Sequence, residues 1–183
     1  MMSEISLNIL DVVQNSVTAG SLLTEIGIEA DSMADILKIT VSDNGRGMPS
    51  EIAARAADPF FTTSGKRKAG LGLPFFKMAA ELSGGSFKTE SSPCAGTKTT
   101  AVFGLGHIDR MPVGDIAETF MSLICLSPSA DFILSYTVDK KNFIVDTREI
   151  RQTLGEVALS EPEVLLWVRE FIDENIEAIG VRL

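Results

Sequence analysis

Little in this sequence suits metal or disulfide chemistry. Its 183 residues include two cysteines and one histidine. Cys94 and Cys125 form no CxxC pair, and only His107 is available to join them, so a zinc site and a disulfide framework both explain the chain poorly. Positive charge is scarce as well, with 16 Lys and Arg against 25 Asp and Glu, a formal charge of -9 and a pI of about 4.6. That balance argues against a general nucleic-acid groove or a patch for acidic membranes. No apolar run approaches the roughly 20 residues that span a bilayer. The opening MMSEISLNIL also lacks the basic start of a secretory leader. The expectation is a cytoplasmic protein with reduced thiols and no membrane span. Hydrophobic residues make up 45% of the chain, enough to build one large core or two small ones.

Periodicity divides the first hundred residues into helices and an antiparallel sheet. Ile5, Ile9, Val12, Val13 and Val17 recur at spacings of three and four, which predicts an amphipathic helix over residues 3–19 with Ser3 as its cap. LLTEIGIEA (22–30) and ILKITVS (36–42) alternate with period two around a polar turn and read as a hairpin. Residues 49–57 predict a short helix, 58–72 have loop composition, and 73–82 predict a second helix ended by Ser83-Gly84-Gly85. SFKTES and TKTTAVF then read as two strands with a turn at 93–96.

After Gly104 and Gly106 the character changes. A helix is expected over 113–124, then the hairpin DFILSYTVD-KK-NFIVDT, then helices over 148–154 and 163–179. The expected organisation is a first domain at 1–106 and a small α/β module at 107–183, without an internal repeat. In the last helix Val164, Leu165, Val168, Phe171 and Ile172 form one stripe. Trp167 reads as core or, less readily, as an anchor for a partner.

Four short segments remain to be explained: DVVQNS (11–16), DNGRGMP (43–49), DPFFTTS (58–64) and GLGL (70–73) at a helix start. Each has a bland explanation. Asn-Gly and Gly-x-Gly mark turns, and Asp11 and Asn15 sit one helical turn apart on a face that water alone would suit. In this order and spacing, however, the segments resemble the ATP-binding family of gyrase B subunits, heat-shock chaperone ATPases, histidine kinases and MutL proteins, the GHKL or Bergerat type, over about residues 4–104.

The resemblance implies an α+β fold, a two-layer α/β sandwich of the GHKL (Bergerat) type, with ATP and Mg2+ as cofactors. It implies that Asn15 supplies a side-chain oxygen to Mg2+, a hard cation that prefers oxygen ligands and the phosphates of the nucleotide. Asp43 matches the acid that accepts a hydrogen bond from the adenine amino group. Gly45 and Gly47 match the glycines that let the backbone lie against the base. Residues 58–70 match a lid, and Gly70, Leu71 and Gly72 match the helix start whose N–H groups meet phosphate. Lys66, Arg67 and Lys68 either reach the phosphates or belong to a solvated loop. Thr97 matches the threonine that backs the adenine-binding acid through water. Its other explanation is an ordinary strand threonine.

Asp11, four residues before Asn15, stands where gyrase, MutL and anti-sigma-factor serine kinases carry a glutamate that orients or deprotonates the attacking group. It is one methylene shorter. The short lid is similar to those of the kinases. The chain is expected to leave no room before the magnesium helix for a phosphoacceptor hairpin. Within HIDRMPVGDI, His107 is either a displaced phosphoacceptor or a linker residue packed at the module junction. The family's opening strand and helix are expected to be missing or replaced by the C-terminal module. Two functions follow. One is a regulatory kinase acting on a partner protein, with oligomerisation possible; the other is an ATP-gated interaction module with little turnover.

Overall fold

The computed structural model describes residues 4–61 and 71–180. β1 (Leu23–Asp31) and β2 (Ile36–Asp43) form the expected antiparallel hairpin. Their alternation sorts the side chains: Ile26, Ile28, Ala30, Leu37, Ile39 and Val41 are buried. Glu29 and Lys38 pair on the other face at 2.5 Å. β4 (Thr97–Gly104) pairs antiparallel with β2, and β3 (Ser86–Ser91) with β4.

The second half of the chain extends this same sheet. β5 (Asp131–Val138) runs parallel to β1, and β6 (Lys141–Asp146) returns antiparallel to β5. The strand order is β3-β4-β2-β1-β5-β6. The parallel pair needs a crossover, and α4 (Ile116–Leu126) supplies it. One continuous core holds Ile9 and Ile28 together with Phe120, Phe132 and Leu134. The change of character near residue 106 therefore marks the chain leaving β4 rather than an interruption of the sheet.

Helices α1 (Ile5–Thr18), α3 (Gly72–Leu82), α4 and α6 (Pro162–Ile179) form the second layer. Their neighbour contacts run α3 to α1 to α4 to α6, in step with the strands. α2 (Ser50–Ala53) is one turn beside β3, and α5 (Thr147–Leu154) packs against β5. α1 buries Ile5, Ile9, Val12 and Val13, as their spacing predicts. Its first N–H groups are not held by a side chain: Ile5 and Ser6 donate to the carbonyls of Pro112 and Val113 at 3.0 and 2.8 Å. Tertiary contact replaces the local cap. Ser3, the expected cap, lies outside the described residues.

Three local expectations are corrected. α4 starts at Ile116 and not at 113, because the Asp115 carboxylate accepts the Glu118 N–H at 2.7 Å and Gly114 before it has a φ of +84. The β5–β6 turn is Asp139-Lys140, one residue earlier than expected, with Asp139 at a φ of +54. Trp167 is 52% exposed and does not join the core.

Leu134 is 1% exposed at the centre of the shared core. Leu134→Ala is expected to cost about 2–5 kcal/mol, with wild type and variant each melting in one transition by calorimetry. Two separated wild-type transitions would show that residues 107–183 fold independently of the first hundred.

Candidate functional site

Asp43 ends β2 directly opposite Thr97 at the start of β4. The carboxylate is fixed from two sides. Oδ2 accepts the Ser16 hydroxyl of α1 at 2.7 Å, and Oδ1 accepts the Gly45 N–H at 2.9 Å. The adjacent Asn44 turns the other way: its Oδ1 accepts the N–H groups of Leu22 and Leu23 at 2.9 and 3.0 Å and the Ser21 hydroxyl at 3.0 Å. Of the two polar residues at the strand exit, Asn44 therefore ties the chain down and Asp43 faces the opening.

The glycines that follow have steric reasons within the protein. A Cβ on Gly45 would sit 3.0 Å from Asp43 Oδ1 and 3.2 Å from the Ala19 carbonyl oxygen. Gly47 has a φ of +64, and a Cβ there would fall on the carbonyl of Ser92. The β3–β4 turn is pressed onto this loop, with Cys94 N–H donating to the Arg46 carbonyl at 2.8 Å and Met48 N–H to Ser91 Oγ at 2.8 Å. These contacts add to the reason that the family resemblance offers for the glycines.

Asp43 opens into a cleft of about 450 Å3 between α1, the ends of β2 and β4, and the segment after β2. Val12, Val41, Met48, Ile52 and Leu73 supply apolar walls, and Asn15, Ser16, Asp43, Thr97 and Thr99 supply polar groups. Gly47 lines it too; Gly45, Asp11, Leu71 and Gly72 do not. A cleft with apolar walls and a single lining carboxylate suits a heterocycle that carries an amino donor. Asn15 is exposed, and Phe61 lines the cleft with the Arg55 guanidinium 4.3 Å from its ring centroid. A second cavity, of about 300 Å3 between α1 and α3, is bounded by Phe75, Met78 and Leu82 and holds neither Asp43 nor Asn15.

Asp11 lies one turn before Asn15 and against the start of α3, where a Cβ on Gly72 would come within 3.0 Å of its Cβ and 3.2 Å of its Oδ2. The described residues give its carboxylate no hydrogen bond, and burial raises its pKa from the ordinary value. Leu71 is the residue preceding α3 and is 39% exposed. Thr97 Oγ1 lies 2.9 Å from Ser91 Oγ. Lys66, Arg67, Lys68 and Gly70 lie outside the described residues. His107 stands away from the cleft at the exit of β4, where its Nδ1 accepts the Asp109 N–H at 3.1 Å.

Sequence reasoning missed Ser16, Asn44, Arg46 and Phe61. Only Ser16 had a usable signal, since it follows Asn15 on the same helix and a hydroxyl is well suited to hold a carboxylate. Among the described residues no group of three or more His, Cys, Asp or Glu side chains gathers to hold a metal. A cation at Asn15 would need ligands from a bound nucleotide, which fits Mg2+ better than a cation held in an all-protein cage.

Residues 2–107 match the family model described as histidine kinase-, DNA gyrase B-, and HSP90-like ATPase. The chain belongs to this family, and its first hundred residues are an ATP-binding domain of that type. It is 29% identical over 116 residues to a non-motile and phage-resistance protein of Caulobacter vibrioides, covering 58% of this chain and 13% of that protein. It is 32% identical over 89 residues to the alginate biosynthesis sensor protein KinB of Pseudomonas aeruginosa, covering 48% and 15%. The chain thus spans about one seventh of the length of these relatives. In fold it is similar to a solved N-terminal domain of a DNA repair protein, with a TM-score of 0.51 at 11% identity, over 79% of this chain and 52% of that one. No helix among the described residues is long and apolar enough to cross a membrane.

The half-buried Asp11 carboxylate generates a stability test. Its raised folded-state pKa means that the burial penalty is absent below the unfolded carboxyl pKa, near 4, and is fully present above the folded value. Asp11→Asn is therefore expected to raise Tm at neutral pH, with the gain shrinking toward zero as pH falls through the carboxyl range. A gain that grows in acid would reverse the assigned sign.

Proposed function

We propose that this protein binds Mg-ATP in the cleft at Asp43 and acts as a regulatory kinase on a partner protein. The observation that carries this reading is the convergence on one cleft of Asn15, Asp43 and Thr97, three residues far apart in sequence. Asp43 would accept a hydrogen bond from the adenine amino group, held in orientation by Ser16 and by the Gly45 N–H. Val12, Val41, Ile52 and Leu73 would exclude water from the base. Asn15 Oδ1 would hold Mg2+, and the backbone N–H groups at the start of α3, at Leu71 and Gly72, would meet the phosphates. Bound Mg-ATP would supply a phosphoryl group ready for transfer, with its charge offset by the cation.

Asp11 would orient the attacking group of the partner and take its proton on a carboxylate oxygen as the γ-phosphoryl group is transferred and ADP leaves. A positioned general base contributes typically about 10²–10⁴-fold. Burial raises its proton affinity above that of an ordinary carboxylate, which favours it as a base. The names of several relatives, among them the sensor protein kinase FleS of Pseudomonas aeruginosa, favour a signalling kinase over an ATPase that acts on nucleic acid. The acidic charge of the chain favours the same choice.

Asp43→Asn is expected to weaken ATP binding about 10- to 100-fold in calorimetric titration, the worth of one hydrogen bond to a charged group. Asn15→Ala is expected to leave binding without its Mg2+ dependence. Unchanged titrations for both variants would refute the site. The reaction is tested by incubating the protein with γ-labelled ATP and Mg2+, alone and with co-purified partners. Label transferred to a partner and lost in Asp11→Asn is the expected result. Measurable binding without any label would replace the kinase with an ATP-gated interaction module.

A further inference from the structure

Strands β2, β4 and β3 lie side by side beneath the cleft at Asp43, and their register sorts the side chains there into two rows. Asp43, Thr97 and Ser91 stand next to one another at the strand ends. Two residues further into the sheet, on the same face, Val41, Thr99 and Thr89 form the next row.

The outer row is satisfied within the protein. Asp43 accepts from Ser16 and from the Gly45 N–H, and Thr97 Oγ1 lies 2.9 Å from Ser91 Oγ. The inner row is not. Thr99 lines the cleft and is 2% exposed, yet among the described residues its hydroxyl has no hydrogen-bond partner. Its strand neighbours supply none: Val41 is apolar, and Thr89 Oγ1 is itself buried without a partner.

The other hydroxyls around the cleft are engaged. Ser16 donates to Asp43, Thr97 meets Ser91, and Thr18 donates to the Gln14 carbonyl at 2.8 Å. Thr99 thus differs from Ser16, Thr18 and Thr97 in keeping its hydrogen-bonding capacity for whatever enters. A hydroxyl buried without a partner costs stability, so its place in the cleft wall calls for a bond supplied from outside.

The diagonal from one residue to the position two beyond its cross-strand partner spans about 7–8 Å between antiparallel strands. Asp43 and Thr99 are related in this way. A carboxylate and a hydroxyl on that diagonal can meet neighbouring atoms along one edge of a heterocycle. Their chemistry is complementary, since an ionised carboxylate can accept but not donate, whereas a hydroxyl can also donate.

We propose that Thr99 is a specificity-determining residue for the nucleobase, its Oγ1 donating a hydrogen bond to the ring nitrogen beside the amino group that Asp43 recognises. This rests on the reading of the cleft as an ATP site and adds a second contact to the base edge. Asp43 selects an amino donor, and Thr99 selects an unprotonated ring nitrogen next to it. Adenine presents that pair, because both ring nitrogens that flank its amino group are acceptors. Hypoxanthine presents a carbonyl oxygen in place of the amino group and so loses the contact to Asp43.

The test is calorimetric titration of the full chain with ATP and with its two deaza analogues, each carrying carbon in place of one ring nitrogen that flanks the amino group. Wild type is expected to bind one of the two analogues about 3- to 10-fold more weakly than ATP. Thr99→Val removes the hydroxyl and nearly keeps the shape. It is expected to lose affinity for ATP by a similar factor and to bind ATP and that analogue alike, the coupling that marks a direct contact. Its Tm without nucleotide is expected to equal or exceed that of wild type, because an unsatisfied hydroxyl has been removed. Thr89→Val, which removes the neighbouring buried hydroxyl outside the cleft, is expected to leave the affinity for ATP unchanged. A wild type that binds ATP and both analogues equally, or a Thr99→Val protein that still discriminates between them as wild type does, would overturn the proposal and leave the ATP site standing. A wild type that binds no ATP would remove the site and the proposal together.

Discussion

The seat of α1 on the β1–β2 hairpin is the constraint on which the rest of this molecule depends. Ile5, Ile9, Val12 and Val13 bury one face of the helix against the sheet, and that packing fixes where the opposite end of the helix points. At that end Ser16 meets the carboxylate of Asp43, and Asn15, one position earlier, faces the open cleft. The other end is held by the carbonyls of Pro112 and Val113, in the segment that leads into the second half of the chain. A helix fixed at both ends brings its polar residues to the cleft as a unit. Its orientation is set by burial and long-range hydrogen bonds together, not by helix propensity.

Two carboxylates near the cleft show how environment divides similar groups between roles. Asp43 receives two short hydrogen bonds, which hold its oxygens in place and leave its outer edge free to accept another donor. Asp11 receives none from the described residues and is pressed against Gly72, so burial raises its proton affinity. A satisfied acid is suited to recognition, and a desolvated one to moving a proton.

The second half of the chain contributes to the site indirectly. β5 pairs with β1 along eight positions, from Leu23 with Asp131 to Ala30 with Val138, and so covers an edge of the hairpin that carries Asp43. The exposed border is thereby moved outward to β6. Phe120, Phe132 and Tyr136 extend the core in the same direction, so that the ATP-binding half and the C-terminal half share one hydrophobic interior. This is the physical reason that a change of sequence character near residue 106 does not mark a change of core.

The sequence carried much of this on its own. Period-two alternation placed β1 and β2 to within a residue or two, because a strand with one buried face must alternate. The order of the boxes around Asn15, Asp43 and Thr97 pointed to one nucleotide site, and these three residues line one cleft. Local pattern was weaker wherever a distant group decided the outcome. The start of α1 is held by Pro112 and Val113, about a hundred residues away, and no local capping rule reveals that. The reason for Gly47 is the Ser92 carbonyl, which reaches it only through the β3–β4 turn. Trp167 belongs to an amphipathic helix, yet it lies on the flank that the α4–α6 packing leaves uncovered. Periodicity determines which face of each element is apolar, since that depends on neighbours a few residues away. Which apolar faces find a partner, and which edge is left without one, was decided only when β5 paired with β1 and the helices took their order on the sheet.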